Sequence, residues 1–328
     1  MRLDTISNTK KASRITPAGA VSQIDNLAAI RISSEFDGTS GYDLLCQEDL
    51  IGTRLDFLKR TGLPSLSDDA KKLKAIRAEI KSRQKHQDLW TPTALEWQRR
   101  NRIWSYFPDE GPLSYKNYPK HMEFMAAGAR FRRRLFCSGN KLGKSLVGAY
   151  EVTSHATGIY PHWWKGKRFD QPVLCWIANK SGKETRDINE RTLLGPPGDE
   201  DSRGTGMIPS HRIRGTTPKP GIPNGCEFIY VEHVSGRNSI IQSKSFDAGR
   251  TAFQGAPEVH VIWADEECPK PIADECAMRT MTCGGILLFT YTPIFGMTEL
   301  TVEMFDQAGI DLGALASDLS MYEESITA

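Results

Sequence analysis

The spacing of apolar and polar positions changes several times along the 328 residues, and each change predicts an element. Residues 1–40 mix Ser, Thr, Gly and charge with little period apart from an apolar patch at 27–32, which predicts a loose arm or weak helix. Helical spacing runs over 44–58 and again over 68–87, the second stretch with Ser67 and Asp68 at its start as a capping signal. There Leu73, Ile76 and Ile80 share one face, and the many Lys and Arg around them fit either a solvated surface or a contact with DNA or a partner subunit. Trp90, Trp97 and Trp104 recur at seven-residue spacing, on one side of a helix begun at Thr91 with Pro92 in its first turn. That stripe predicts a core contact that docks the N-terminal helices onto the rest. After a break at 108–112, residues 118–128 predict a short helix. Arg130, Arg132, Arg133 and Arg134 follow as an exposed helix end, where cations suit the dipole.

Further along, short apolar runs replace the helical period. Those at 135–137, 172–178 (PVLCWIA), the start of 259–267 (VHVIWADEE) and 285–290 (GILLFT) suit strands covered on both faces. Residues 227–246 read as two strands around a turn at 235–238, with Arg237 at the tip, either an exposed turn residue or a contact for a phosphate backbone. A helix runs from 144 to about 157, and another begins in NKSGKETRDI and carries Arg186 and Asp187. The Gly and Pro density of 195–225 predicts a long irregular surface excursion. Strands alternating with helices predict an α/β protein with a mainly parallel sheet, preceded by an N-terminal helical region.

Composition narrows the class only modestly. Length allows about two domains, and 25% charged with 39% hydrophobic residues argues against wholesale disorder. A net charge of +2 leaves the partner open. Seven cysteines, odd in number and without a C-x-x-C pair, predict reduced core thiols rather than disulfides or a zinc site. No apolar run approaches the roughly 20 residues of a membrane span, and the N-terminus lacks an apolar signal core, so the expectation is a cytoplasmic protein.

The candidate chemistry lies in two stretches. In FCSGNKLGKSLV (136–147) a strand enters a glycine-containing loop and leaves as a helix, the layout in which backbone N–H groups cradle phosphates. Gly143, Lys144 and Ser145 supply the closing glycine, a lysine for the terminal phosphates and a hydroxyl for Mg²⁺, while Ser138, followed by Gly139, replaces the usual first glycine. The same letters also fit a tight turn before a helix, with Lys144 merely solvated. In VHVIWADEE a hydrophobic strand ends in acids, which would let Asp265 hold Mg²⁺ through water and Glu266 act as general base. A similar Gly182–Lys183 has Glu184 where the hydroxyl is needed and is a decoy. Thr290 and Thr292, at the end of the last core strand, either sense the terminal phosphate or serve packing and turn capping.

Taken together, YPKHMEFMAAG, SGNKLGKS, TRDI with LLGPPG, KSFDAGRTAFQG leading into VIWADEECP, and FTYTPIFGMT resemble the large terminase subunit of tailed bacteriophages over roughly 88–300. The resemblance implies a RecA-like P-loop NTPase of the additional-strand, catalytic-glutamate type. Its expected layout is an N-terminal arm and helical region (1–88), a helical lid or adenine-binding segment (89–127), an ATPase core (128–300) and a tail (301–328). It implies ATP and Mg²⁺ as cofactors, with Ser138, Gly139, Asn140, Lys141, Leu142, Gly143, Lys144 and Ser145 around the phosphates and Ser145 and Asp265 at the metal. Adenine contacts fall at 118–124, with His121 and Glu123 as candidates and no glutamine there. Lys141 stands where many terminases carry arginine.

Catalysis is assigned to Glu266, Lys144 and Arg250, and coupling to Thr290 and Thr292. Arg250 either reaches the next subunit's nucleotide or forms a local salt bridge with Asp247. The implied partners are double-stranded DNA, the portal of a prohead, a small terminase subunit and further copies in a ring, with no membrane; the setting is the host cytoplasm, transiently docked on the prohead. Only 35 residues follow Pro293, so ATPase without nuclease is expected from this chain. A helicase-like ATPase, or a nucleotide- or DNA-binding component without motor activity, are the alternatives.

Overall fold

The computed structural model describes residues 36, 39–65, 67–255, 258–293, 296 and 298–310. The expected arm, save its last few residues, and the tail beyond residue 310 lie outside these.

Seven strands form one sheet: β1 (Arg133–Cys137), β2 (Leu174–Asn179), β3 (Ile213–Pro218), β4 (Cys226–Glu232), β5 (Asn238–Ser245), β6 (Val261–Asp265) and β7 (Ile286–Tyr291). Their spatial order is β1-β7-β6-β2-β5-β4-β3. The five strands from β1 to β5 in that order run parallel, and β4 and β3 continue the sheet antiparallel. Alternate residues of the central strands enter two cores. Cys175, Ile177, Trp263 and Leu288 face one, while Trp176, Ala178, Ile262, Ala264, Leu287 and Phe289 face the other. This two-sided burial explains why those strands read as unbroken apolar runs.

Eight helices flank or precede the sheet among the described residues once short 3₁₀ turns are set aside. They are α1 (Gly41–Thr61), α2 (Ser67–Arg83), α3 (Gln87–Arg100), α4 (Pro119–Ala127), α5 (Lys144–Thr157), α6, α7 (Lys270–Arg279) and α8 (Glu299–Gln307). Here α6 is three continuous segments, Gly182–Glu184, a π-helical Thr185–Glu190 and Arg191–Leu194. Ser181 caps it by accepting the Glu184 N–H, and the decoy sequence is a helix start as expected. Helices α4 and α5 supply one core and α7 and α8 the other.

The N-terminal helices are joined by Phe36, Leu44, Ile76 and Ile80, with Trp90 packed against them. They are fixed to the sheet by a buried charge cluster. Asp49 of α1 accepts from Arg212 at 2.7 Å and from His211 at 2.8 Å, and Trp97 stacks on the His211 ring.

Three expectations are corrected. The tryptophan stripe is not one helix face: α3 starts at Gln87, keeps Pro92 inside, and ends at Arg100, leaving Trp104 exposed on a separate 3₁₀ turn. The stretch 195–225 is not wholly irregular, because it contains β3 and the buried Met207, Ile208 and Arg212. As an edge strand with register shifts beside Gly215 and before Pro218, β3 lacks the alternation that marks an inner strand. The arginine cluster is not an exposed helix end. Arg134 lies in β1, buried, and pairs with Glu151 of α5 at 2.6 Å, while Arg133 reaches Glu303 and Arg132 reaches Thr280. The hairpin, by contrast, stands where its pattern placed it, β4 against β5.

Candidate active site

The carboxyl ends of the parallel strands converge, the place where an open α/β sheet presents its ligands. From β1 the chain enters the loop 138–143 and turns into α5. Two positive φ angles make that turn, +62° at Lys141 and +82° at Gly143. Gly143 suits its place twice over: an L-residue rarely takes this φ, and a Cβ there would lie 3.0 Å from His121 Nε2. It caps α5 without a side-chain acceptor, which leaves first-turn N–H groups for another anion.

Lys144 folds back over its own loop. Its ammonium donates to the carbonyl oxygens of Ser138 (3.0 Å) and Gly139 (2.7 Å) and to Thr292 Oγ1 (2.8 Å). Thr292 in turn donates to the Ser138 carbonyl oxygen at 2.8 Å, with Asn140 Oδ1 3.1 Å away. The end of β7 is thereby tied to the loop beyond β1, its neighbour in the sheet.

Ser145 Oγ donates to Asp265 Oδ1 at 3.1 Å, and Thr290 Oγ1 donates to the same oxygen at 2.6 Å. Asp265 is 3% exposed, and burial pushes its carboxyl up to about 6 despite those two hydrogen bonds. Its other oxygen, Oδ2, is buried without a hydrogen-bond partner among the described residues. A desolvated carboxylate with one free oxygen beside a serine hydroxyl is a hard-oxygen donor pair that suits Mg²⁺. Glu266, next in sequence, has φ +76° and its N–H bonded to the Thr290 carbonyl oxygen. A non-glycine residue in this region is uncommon and turns the side chain away from the strand's alternation. Its carboxylate lies 3.7 Å from Lys180 Nζ, at the end of β2.

His121 stands against the loop with Nε2 3.0 Å from the Leu142 carbonyl oxygen. A carbonyl can only accept, so Nε2 carries the proton. Burial holds the ring's pKa below the usual value and leaves Nδ1 an acceptor at neutral pH. Glu123, the other adenine candidate, is exposed and paired with Lys120. Leu142, Lys141 and Asn140 are exposed on the loop.

Arg250 does not pair with Asp247. It bonds Glu275 Oε2 with both Nε and Nη2 at 3.0 Å, while Arg279 occupies Oε1. The expectation followed nearness in sequence, whereas α7 brings in an acid 25 residues away. Of the two threonines, Thr292 lies at the loop, and Thr290 is buried with its hydroxyl between Trp263 and Asp265.

Sequence reasoning passed over Lys180 and Trp263. The rule that ligands sit at strand ends points to Lys180 once β2 is placed, whereas nothing in VIWADEE marks Trp263 as more than core.

Sheet and cluster together define an α/β protein, compatible with a RecA-like fold, that gathers a lysine, a serine and two acids at its strand ends. Within that class the chain belongs to the terminase large subunits. Residues 135–299, half of the chain, match the family described as "Terminase large subunit, T4likevirus-type, N-terminal". The large terminase subunit of Salmonella phage P22 is 35% identical over 203 residues, 57% of this chain and 40% of that protein. The chain thus spans well under half the length of this relative. No solved structure matches the present chain.

Proposed function

We propose that the chain hydrolyses ATP, with Mg²⁺, to drive double-stranded viral DNA into a prohead. The observation that carries this reading is the meeting of Ser145 with Asp265, one residue before Glu266 and one after Lys144. The position of β7 between β1 and β6 supports the additional-strand, catalytic-glutamate assignment.

In this reading the loop 138–143 and the first turn of α5 hold the triphosphate, and Lys144 leaves its carbonyl partners for the β and γ phosphates. Ser145 and Asp265 hold Mg²⁺, which when bound neutralises charge on the phosphate oxygens. Glu266 takes a proton from the attacking water, and Lys180, close to its carboxylate in the free chain, holds it ready. His121 Nδ1 accepts a hydrogen bond from the adenine amino group. Thr292, bonded to Lys144, carries the state of the phosphate site along β7, and Thr290 keeps Asp265 in place.

Arg250 leaves Glu275 to reach the nucleotide of the next copy in a ring. The portal and a small terminase subunit complete the assembly, which works in the host cytoplasm. Among the described residues no helix is long and apolar enough to cross a membrane.

DNA contact is mainly to phosphates, so it tolerates any sequence and weakens with salt. The test is the rate of Mg²⁺-dependent ATP hydrolysis with and without double-stranded DNA across protein concentrations. Stimulation by DNA that grows with concentration supports a motor working as an assembly. Strand separation without packaging favours a helicase-like enzyme, and no turnover with DNA and portal present favours a non-motor component.

A further inference from the structure

Trp263 lies in the middle of β6, fully buried, and points into the core on the α5 side. Two contacts set it apart from ordinary core packing. Its indole Nε1 donates to Thr290 Oγ1 at 2.7 Å. Its ring also occupies the space that a side chain at Gly148 would need: a Cβ there would lie 2.4 Å from both Nε1 and Cε2. Gly148 is three residues beyond Ser145, so the ring bears on the helix face that carries the serine.

An indole nitrogen only donates, so Thr290 Oγ1 must be the acceptor in its bond with Trp263. The single hydroxyl proton of Thr290 is then free to go to Asp265 Oδ1, 2.6 Å away. Ser145 donates to that same oxygen. With Oδ1 saturated by two hydroxyls, Oδ2 is the oxygen left without a partner among the described residues. The serine, having spent its proton on the carboxylate, presents a lone pair.

We infer that Trp263 is a positioning residue for the metal side of the site. Its N–H fixes the Thr290 hydroxyl, which fixes the Asp265 carboxylate with Oδ2 free, and its ring seats α5 so that Ser145 completes the pair. This rests on the Mg²⁺ reading of Ser145 and Asp265. Neither Trp263 nor Gly148 is assigned a contact with nucleotide or metal.

The experiment measures Mn²⁺ binding by electron paramagnetic resonance, with a non-hydrolysable ATP analogue present, alongside metal-free binding of the same analogue and thermal melting. Trp263→Phe keeps an aromatic ring and removes the N–H. It is expected to weaken Mn²⁺ binding roughly tenfold, the lower end of the effect of losing a partner that orients a metal ligand. Metal-free analogue binding should stay at the wild-type level. Thr290→Val should show a similar loss and Thr290→Ser should retain wild-type affinity. Trp263→Phe added to Thr290→Val should weaken Mn²⁺ binding no further, because the indole acts through the hydroxyl.

Wild-type Mn²⁺ affinity in Trp263→Phe, or a further loss in the double variant equal to the single one, overturns the inference. So does a lowered melting temperature with metal affinity intact, which marks a packing role only. Should Trp263→Phe not fold, the Thr290 pair still decides: equal affinity in Thr290→Val and Thr290→Ser overturns the relay. A wild-type chain that binds analogue but no Mn²⁺ instead refutes the metal reading itself, and this inference with it.

Discussion

Ser145 and Asp265 meet at 3.1 Å across 120 residues of chain, one at the start of α5 and the other at the end of β6. The contact holds a carboxylate that is almost fully buried against a hydroxyl, and that burial has an energetic consequence. Burial raises the Asp265 carboxyl to about 6. A shift of one unit corresponds to about 1.4 kcal/mol, so the ionised group destabilises the metal-free fold at neutral pH by on the order of 2–3 kcal/mol.

Asp265→Asn is therefore expected to raise the melting temperature of the metal-free chain at pH 7.5 while abolishing Mg²⁺ binding. The folded-state value lies above the unfolded one of about 3.9, so the folded chain binds this proton more tightly. The penalty is absent below about pH 4 and complete above about pH 6. Melts of wild type and variant should converge at pH 4 and separate at pH 7.5. A variant that melts lower at pH 7.5 contradicts the reading.

The opposite sign holds at Asp49. Burial alone would push its carboxyl up, but the Arg212 guanidinium and then His211 more than offset this and hold it below the usual carboxylate value. The stabilisation is present above the unfolded value of about 3.9 and is lost as pH falls through the lower folded value. Acid should therefore loosen the docking of α1, seen as more protease cleavage within the N-terminal helices at pH 3 than at pH 5. Asp49→Ala leaves the buried Arg212 without its counter-charge and is expected to destabilise the chain by about 3–5 kcal/mol. Equal protease resistance at both pH values would argue that apolar contacts alone hold α1.

Arg250 offers a separation of roles. Its side chain is 53% exposed, and Glu275 keeps Arg279 when Arg250 is removed. Arg250→Ala should thus change stability by less than about 1 kcal/mol. If the guanidinium acts on a neighbouring copy, ATP turnover falls on the order of 10³-fold where the protein is assembled and is unchanged in dilute monomer. Turnover measured against protein concentration checks this, and an equal loss at every concentration would place the arginine within its own site.

How much of this could be read in the chain depended on whether a signal was local. The loop 138–143 and the strand 261–265 were legible as elements because each carries its pattern within a few consecutive letters. The hairpin β4–β5 was legible because its turn and alternation are adjacent in sequence. What escaped is non-local or edge-bound. Arg134 looked like a helix-end cation because Glu151, its buried partner, stands on the next helix. The strand β3 hid among Gly and Pro because an edge strand needs only one paired side. Lys180 and Trp263 acquire meaning only once β2, β6 and β7 lie side by side.

The most direct test of the central claim is Mg²⁺-dependent ATP hydrolysis, with double-stranded DNA, by the wild type and by Glu266→Gln. Glutamine keeps the size and the backbone position but removes the base. The account predicts turnover in the wild type, a loss of at least about 10²-fold in the variant, and ATP binding unchanged between them. Full turnover in Glu266→Gln would contradict it.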